Sequence, residues 1–178
     1  MGGESLRRTL YIISGPAGAG KSTTSKRIAG RLAKSAYIEG DLIDHMVFGG
    51  YEMPWLSQYH TDLIWQNILS LANNFIHHDH DVVIDYVAFM HNAEYIASGL
   101  EQSGVSVKFA ILITDEEELL RRDAERQPQF RMGHRCIEGL KEIRRSNPPE
   151  HHIINTTRMD VDSVVEEIMG NPVFLIDS

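Results

Sequence analysis

An eight-residue glycine-rich segment near the start of the chain leaves few folds open to it: Gly15-Pro16-Ala17-Gly18-Ala19-Gly20-Lys21-Ser22. The segment satisfies the pattern G-x-x-x-x-G-K-[ST]. It follows a short apolar run, Thr9 to Ser14, and precedes helix-forming sequence that continues through Lys34. A strand, a glycine-rich loop and a helix in this order are the context that the pattern requires, so we expect a phosphate-binding loop at the start of an α/β fold.

The chemistry of this loop follows from its residue types. Glycines let the backbone curl until successive N–H groups point inward, and the helix that begins at the end of the loop adds the positive end of its dipole. We expect Lys21 to reach the β- and γ-phosphates of ATP and Ser22 to bind Mg²⁺. The predicted nucleotide-binding residues are Gly15, Pro16, Ala17, Gly18, Ala19, Gly20, Lys21, Ser22 and Thr23. The loop does not fit G-x-G-x-x-G, so a dinucleotide cofactor is not indicated.

Apolar runs of strand length alternate with helical patterns along the chain. The five candidate strands are Thr9 to Ser14, Ala36 to Glu39, Asp81 to Tyr86, Val105 to Thr114 and His151 to Asn155. Such alternation predicts βα units around a parallel sheet. We therefore expect a three-layer α/β fold with a five-stranded parallel sheet, formed by one domain over residues 1–178.

Composition and charge narrow the class of protein further. A chain of 178 residues with 42% hydrophobic content can bury a core without staples, and the lone Cys136 excludes an internal disulfide. The chain has neither a signal peptide nor an 18-residue apolar run, so we expect a cytoplasmic protein without a membrane segment. Its formal net charge of -8 makes a nucleic-acid partner unlikely, because such partners attract basic proteins.

Carboxylates end two of the predicted strands. Asp85 closes the third strand and is suited to hold Mg²⁺, although an Asp at a strand end can also cap the following turn. Tyr86 follows where ATPases commonly place a glutamate, and no Asn-Lys-x-Asp guanine motif is present, so hydrolysis is disfavoured. Glu39 and Asp41 end the second strand, and strand alternation predicts that both point to the same side. Asp41 would accept a proton from an attacking hydroxyl, or would only cap the helix from Leu42.

The second strand end also resembles a known family. The run Glu39-Gly40-Asp41-Leu42, the pair Gly49-Gly50 and then Pro54-Trp55-Leu56 resemble the gluconate kinases, in which Asp41 would lie at the substrate hydroxyl. With the glycine-rich loop, the resemblance covers the chain to about residue 60. Tyr51-Glu52-Met53 replace the acidic and arginine residues of that family, and Asp85-Tyr86 resembles chloramphenicol phosphotransferase and polynucleotide kinase instead. Features are also shared with shikimate kinase.

These resemblances imply a P-loop NTPase fold of the nucleotide-kinase type. They also imply phosphoryl transfer from ATP, with Mg²⁺, to a hydroxyl of a small molecule. The identity of the acceptor stays open. Two alternatives also stay open, a kinase acting on the 5′-hydroxyl of nucleic acids and a nucleotide-binding switch protein without catalysis.

An arginine-rich segment later in the chain resembles the lid of small kinases. Residues 127–133 contain Pro128 and Gly133 and are predicted to form a mobile loop between two helices. Arg126 and Arg135 flank this loop and have no carboxylate four residues before them. Arg121 and Arg122 do have one, which is a sufficient reason for their charge. The resemblance implies a lid over about residues 126–135 that brings Arg126, and then Arg135, onto the transferring phosphoryl. Solvated surface arginines are the alternative.

Overall fold

The computed structural model describes residues 8–176 and, of Phe130, only the backbone. Five strands form one sheet: β1 Thr9–Ser14, β2 Ser35–Glu39, β3 Asp81–Asp85, β4 Ser106–Ile113 and β5 Ile153–Asn155. Their order is β2-β3-β1-β4-β5, and every neighbouring pair of strands is parallel. The predicted five-stranded parallel sheet is therefore confirmed.

Seven helices connect or follow these strands in the described part of the chain. They are α1 Lys21–Arg31, α2 Gly40–Asp44, α3 Gln58–His77, α4 Met90–Gly99, α5 Glu116–Ala124, α6 His134–Arg145 and α7 Val161–Gly170. Short 3₁₀ turns form at Pro54–Leu56, Glu101–Ser103, Pro128–Phe130, Glu150–His152 and Pro172–Phe174. None of the helices described in residues 8–176 has the length and apolar character needed to cross a membrane.

Helices cover both faces of the sheet. Successive residues of each strand point to opposite faces, so both faces carry apolar side chains that must be buried. Leu10 and Ile12 pack with Ile68 of α3 in one buried cluster, whereas Tyr11 and Ile13 lie in a second cluster. The second cluster receives apolar residues from α1, α6 and α7. Parallel strands buried on both faces read as continuous apolar runs, which explains why the sequence revealed them. The fold is therefore a three-layer α/β fold with a parallel sheet, as the sequence predicts.

The fifth strand is shorter than the predicted run from His151 to Asn155. Glu150–His152 form a 3₁₀ turn, and Nδ1 of the buried His152 lies 2.9 Å from the Phe109 carbonyl oxygen. The side chain anchors this turn against β4, so pairing with β4 begins only at Ile153.

The topology places the ends of the strands around one crevice. β1 lies in the centre, with β3 on one side and β4 on the other, so the loop after β1 opens where the strand order diverges. The Ser14 hydroxyl donates to the Ala88 carbonyl at 2.7 Å and accepts from the Ala88 N–H at 2.8 Å. This reciprocal pair ties the end of β1 to the loop that follows β3, and it fixes one wall of the crevice.

Candidate active site

The glycine-rich loop adopts a backbone that needs its glycines. Gly15, Gly18 and Gly20 have φ angles of 142°, 84° and 98°, in the region that residues with a Cβ rarely enter. At Gly15 an added Cβ would lie 2.3 Å from the Leu112 carbonyl oxygen. Gly15 therefore allows β1 and β4 to approach each other, and it lies behind the loop residues that line the crevice.

Lys21 is the first residue of α1 and the point on which the charged site residues converge. Gly20 caps the helix without a side-chain hydrogen bond, so the first N–H groups of α1 stay available to an anion. The Lys21 Nζ donates to the Pro16 carbonyl at 3.1 Å, which holds the side chain across the loop. Burial lowers the pKa of Lys21, whereas Asp85 and Asp41 raise it and Arg126 lowers it. Three of the predicted site residues, Asp41, Asp85 and Arg126, thus lie within electrostatic reach of one ammonium group.

A cavity of about 940 Å³ opens beside the loop and has two sides. The α3 side is formed by residues that come after β2 and β3 in the chain, and the lid side by residues that come after β4 and β5. The α3 side is lined by Asp41, Asp44, Pro54, Trp55, Gln58, Thr61, Trp65, Tyr86, Val87, Phe89, His91 and Asn92. The lid side is lined by Arg122, Arg126, Met132, Arg135, Gly139, Glu142, Thr156, Met159, Asp160, Val161 and Val164. Loop residues Pro16 to Thr24 and Asp85 lie between the two sides.

Oxygen ligands suited to Mg²⁺ lie next to the loop. Ser22 is exposed, and Asp85, at the end of β3, is 4% exposed. The Tyr37 hydroxyl donates to Asp85 Oδ2 at 2.6 Å, which leaves Oδ1 for a cation or its water. A hydroxyl and a carboxylate oxygen are the ligand types that Mg²⁺ takes in nucleotide sites, so the residues present fit this ion. Sequence reasoning missed Tyr37, although it lies two residues before Glu39 on β2.

Asp41 lies in the first turn of α2, which begins at Gly40 with Glu39 at the N-cap position. The interpretation of Asp41 as only a helix cap is therefore wrong. The prediction that Glu39 and Asp41 point to the same side is also wrong, because the chain turns into a helix at Gly40 and only Asp41 lines the cavity. Although Asp41 is an exposed residue, partial burial of its carboxyl group raises its pKa, Lys21 lowers it, and Asp85 raises it again.

A buried polar network on the α3 side was not predicted from the sequence. His60 Nε2 lies 2.6 Å from Asp44 Oδ1, and both residues are buried. The Tyr51 hydroxyl donates to Asp44 Oδ2 at 3.1 Å, and the Tyr51 ring contacts the His60 ring edge-on, with 5.1 Å between centroids. The network joins α2, the following loop and α3, so it fixes the position of a carboxylate in the cavity wall.

The predicted lid is tied to α5 by a buried carboxylate. Asp123 accepts hydrogen bonds from the Met132 N–H at 3.0 Å and from the Gly133 N–H at 2.7 Å. Arg126 Nη1 lies 3.4 Å from Asp123 Oδ1. Burial raises the pKa of Asp123, but these backbone and side-chain hydrogen bonds lower it overall. Asp123 therefore holds both ends of the segment that carries Arg126 into the cavity.

Arg135 also lines the cavity and has two partners of its own. Its guanidinium bonds to both carboxylate oxygens of Glu142, at 2.7 and 3.1 Å. It also stacks over the Trp55 ring at 4.8 Å from the centroid. Arg135 thus brings the lid side into contact with the α3 side.

The helix before the predicted lid, α5, begins without a side-chain cap. Thr114 and Glu117 have the spacing of a capping box, which would start the helix at Asp115, but Asp115 is the N-cap residue and no side chain caps the helix. The Thr114 hydroxyl instead lies 2.9 Å from the Thr157 hydroxyl.

The sequence profile of a family described as an AAA domain matches residues 10–142. No curated protein matches the chain. Among solved structures, the tunicamycin resistance protein of Deinococcus radiodurans aligns with a TM-score of 0.65 and 22% identity, over 97% of this chain and 100% of that one.

Two further solved structures carry kinase descriptions. A sugar kinase from Janibacter aligns with a TM-score of 0.70 and 15% identity, over 92% of this chain and 93% of that one. The APS kinase CysC of Mycobacterium tuberculosis, in complex with AMPPNP and APS, aligns with a TM-score of 0.64 and 14% identity, over 92% and 96%. At these identities the likeness demonstrates a common fold.

Proposed function

We propose that this chain, which belongs to the AAA domain family, is an ATP-dependent phosphotransferase. It would move the γ-phosphoryl of ATP to a hydroxyl of a small molecule. One observation carries this proposal. Asp41, Asp85 and Arg126 line the same cavity as Lys21 and the glycine-rich loop. A transferring phosphoryl group needs this combination of cations, metal ligand and proton acceptor.

The nucleotide would bind across the loop and the lid side. The backbone N–H groups between Ala17 and Thr23, which include those at the start of α1, would hold its phosphates, with Lys21 between the β- and γ-phosphates. Its base would lie against Thr156, Met159 and Val161, which line the lid side. The likeness to a kinase solved with AMPPNP supports ATP as the nucleotide.

Ser22 and Asp85 would hold Mg²⁺. Both offer the oxygen ligands that this ion prefers, and the hydrogen bond from Tyr37 orients the Asp85 carboxylate. When bound, the ion would neutralise charge on the phosphate oxygens. Tyr37 would keep the Asp85 carboxylate turned toward the loop, because its hydroxyl restrains one of the two oxygens.

In the transfer step the acceptor oxygen would attack the γ-phosphorus while the bond to the β–γ bridging oxygen breaks. ADP would leave, and the hydroxyl proton would pass to Asp41, whose raised pKa favours acceptance of a proton. Arg126 would stabilise the charge that spreads over the transferring group. Arg135 would make a smaller contribution, since Glu142 already binds its guanidinium.

We also propose that residues 1–178 act as one domain with a lid over about residues 126–135. The buried free thiol of Cys136 favours a reducing, cytoplasmic setting. The acidic net charge of -8 favours a small acceptor over a polynucleotide.

The test is ADP formation from ATP-Mg²⁺ with and without a panel of alcohols. We expect at least one alcohol to accelerate ADP formation, and we expect Lys21→Ala to abolish both nucleotide binding and this acceleration. The proposal would be rejected if no alcohol changed the rate of ADP formation, or if the Lys21→Ala variant were as active as the wild type.

A further inference from the structure

The Asp44 carboxylate is a buried charge that the proposed transfer step does not use. Its side chain is 7% exposed, and it lines the α3 side of the cavity. An ionised carboxylate only accepts hydrogen bonds, so Tyr51 donates through Oη and His60 through Nε2. Among the described residues, each carboxylate oxygen thus has one donor.

The two donors leave part of the carboxylate unused. An ionised carboxylate offers about four lone-pair sites, and the protein fills one on each oxygen of Asp44. A buried charge is stable only when its partners satisfy it. Because Asp44 faces the cavity, a bound molecule with O–H or N–H groups can supply the remaining hydrogen bonds.

The charges around Asp44 select against an anionic molecule. None of the described residues that line the α3 side is a lysine or arginine, whereas Asp41 and Asp44 both are carboxylates. Lys21 lies at the loop, where the nucleotide phosphates would take its charge. Arg135 reaches the edge of this side through Trp55, but both of its bonding nitrogens are on Glu142.

The imidazoles near this side do not replace a fixed cation. His60 serves Asp44 directly, and His91 lies exposed against the Phe89 ring, with 5.9 Å between centroids. His45 lies near Asp41 and lowers its pKa, but it does not line the cavity. A carboxylate on the bound molecule would therefore face Asp41 and Asp44 without a lysine or arginine to offset it.

Aromatic side chains complete the wall. Trp55 is 51% exposed and lies at the rim, and Tyr86 packs against the buried Trp65 with 5.8 Å between ring centroids. Flat apolar faces beside a fixed acceptor of hydrogen bonds suit a sugar-like ring, which has C–H faces and an equator of hydroxyl or amino groups.

We propose that Asp44, held by His60 and Tyr51, recognises the phosphoryl acceptor, and that this acceptor is a neutral polyol or an amino sugar without an anionic group. The proposal rests on the proposed function and gives it a substrate class. It departs from the gluconate that the family resemblance suggests, because a sugar acid would bring a carboxylate to a wall of carboxylates.

The test compares alcohols that share a carbon skeleton and differ in charge, such as glucosamine, glucose and gluconate, with further triplets built on other skeletons. Each is read by saturation-transfer NMR against the protein loaded with ADP-Mg²⁺, and by ADP formation from ATP. The NMR measurement needs no transfer, and a fluorescent ADP titration checks the nucleotide site separately. A failure of the acceptor class is thereby distinguishable from a failure of the phosphotransferase proposal.

We expect binding by amine or neutral members and none by their acid counterparts. In Asp44→Asn we expect the preference for the amine over the neutral member to fall by about tenfold, because the charge-assisted hydrogen bond is lost. The ratio of the two acceptors is the readout, since general damage to the fold lowers both alike.

Asp79→Asn is the matched control, because Asp79 is exposed, has φ of 61°, and lies outside the cavity. Asn is tolerated in that conformation, so the ratio should not change. If Asp44→Asn does not fold, Tyr51→Phe removes one donor from the same carboxylate and should shift the ratio less strongly. Stronger binding by any acid member, no binding by every amine and neutral member at tens of millimolar, or an unchanged ratio in the Asp44 variant would overturn the proposal.

Discussion

The Tyr37 hydroxyl donates a 2.6 Å hydrogen bond to Oδ2 of Asp85 across the neighbouring strands β2 and β3. In the sheet register Glu39 lies beside Asp85. Tyr37 lies two residues before Glu39, on the same face of β2, and reaches the Asp85 carboxylate from there. Burial raises the pKa of the Tyr37 hydroxyl, and the bond to Asp85 raises it further. The tyrosine is therefore a persistent donor that restrains one oxygen of the proposed metal ligand.

We predict that Tyr37→Phe increases the Mg²⁺ concentration needed for tight nucleotide binding by about tenfold, because residues that orient metal ligands have effects of this size. Affinity for ADP without Mg²⁺ should be unchanged, since the loop is not altered. Fluorescent ADP titrations across a Mg²⁺ series provide the measurement. Tyr59→Phe, at a position 75% exposed, is the control. An unchanged Mg²⁺ requirement in Tyr37→Phe would remove Tyr37 from the site.

Gly40 lies where Tyr86 packs against the start of α2. A Cβ at Gly40 would lie 2.2 Å from the Tyr86 ring, so the ring would have to move. We predict that Gly40→Ala destabilises the protein by about 1–3 kcal/mol, as overpacking does, and weakens acceptor binding. Thermal melting measures the first effect.

Gly30 provides the matched control for that substitution. It lies in α1, and an added Cβ would meet no atom within 4 Å. Gly30→Ala should therefore stabilise the protein by about 0.5–1 kcal/mol, because alanine favours a helix interior. Equal melting temperatures for the two variants would contradict the packing argument.

Arg126 is predicted to act mainly in the transition state. Arg126→Met should lower kcat by about 10³-fold and change ATP affinity much less, as expected for an arginine that binds the transferring phosphoryl. Steady-state kinetics with an acceptor found by the screen test this. Arg121→Met is the control, because Arg121 is exposed and pairs only with Glu118 and Glu125 among the described residues. Similar kcat values for both variants would assign Arg126 to the surface.

The strands and the loop could be predicted from sequence because their signals are local. The central strands β1, β3 and β4 are mostly apolar runs, and the loop after Ser14 is a contiguous pattern with glycines at positions of positive φ. The break between α5 and α6 was also predicted, since Pro128 and Gly133 interrupt two helical segments. The contacts that hold this segment were not predicted, because Asp123 binds backbone N–H groups nine and ten residues later.

The α3 side could not be predicted because its key contacts join distant residues. Asp44 and His60 are sixteen residues apart, and His60 alone on α3 gives no indication of a buried partner. Strand alternation failed at Glu39 and Asp41 because Gly40 starts a helix there. Tyr37 carried a usable signal, since it shares the face of β2 with Glu39.

Asp41→Asn separates catalysis from structure. Asn keeps the shape of Asp but cannot accept the hydroxyl proton, so transfer should slow by about 10² to 10⁴-fold while ATP binding and melting temperature persist. The raised pKa of Asp41 also has a consequence for the wild type. Because the base must be ionised, activity should begin to fall with decreasing pH at a higher pH than an ordinary aspartate would give. A pH–rate profile checks this, and near-normal transfer by Asp41→Asn would reject its role as base.

The proposed reaction moves the γ-phosphoryl of ATP to a hydroxyl of a small molecule. ATP labelled with ¹⁸O on the γ-phosphoryl, mixed with the protein, Mg²⁺ and an acceptor from the amine or neutral series, tests it directly. ³¹P NMR and mass spectrometry then follow the label. We expect the label to appear in a new phosphomonoester of the acceptor, together with ADP, and we expect Lys21→Ala to form neither. Label found only in inorganic phosphate, at a rate independent of the acceptor, would contradict the proposed reaction.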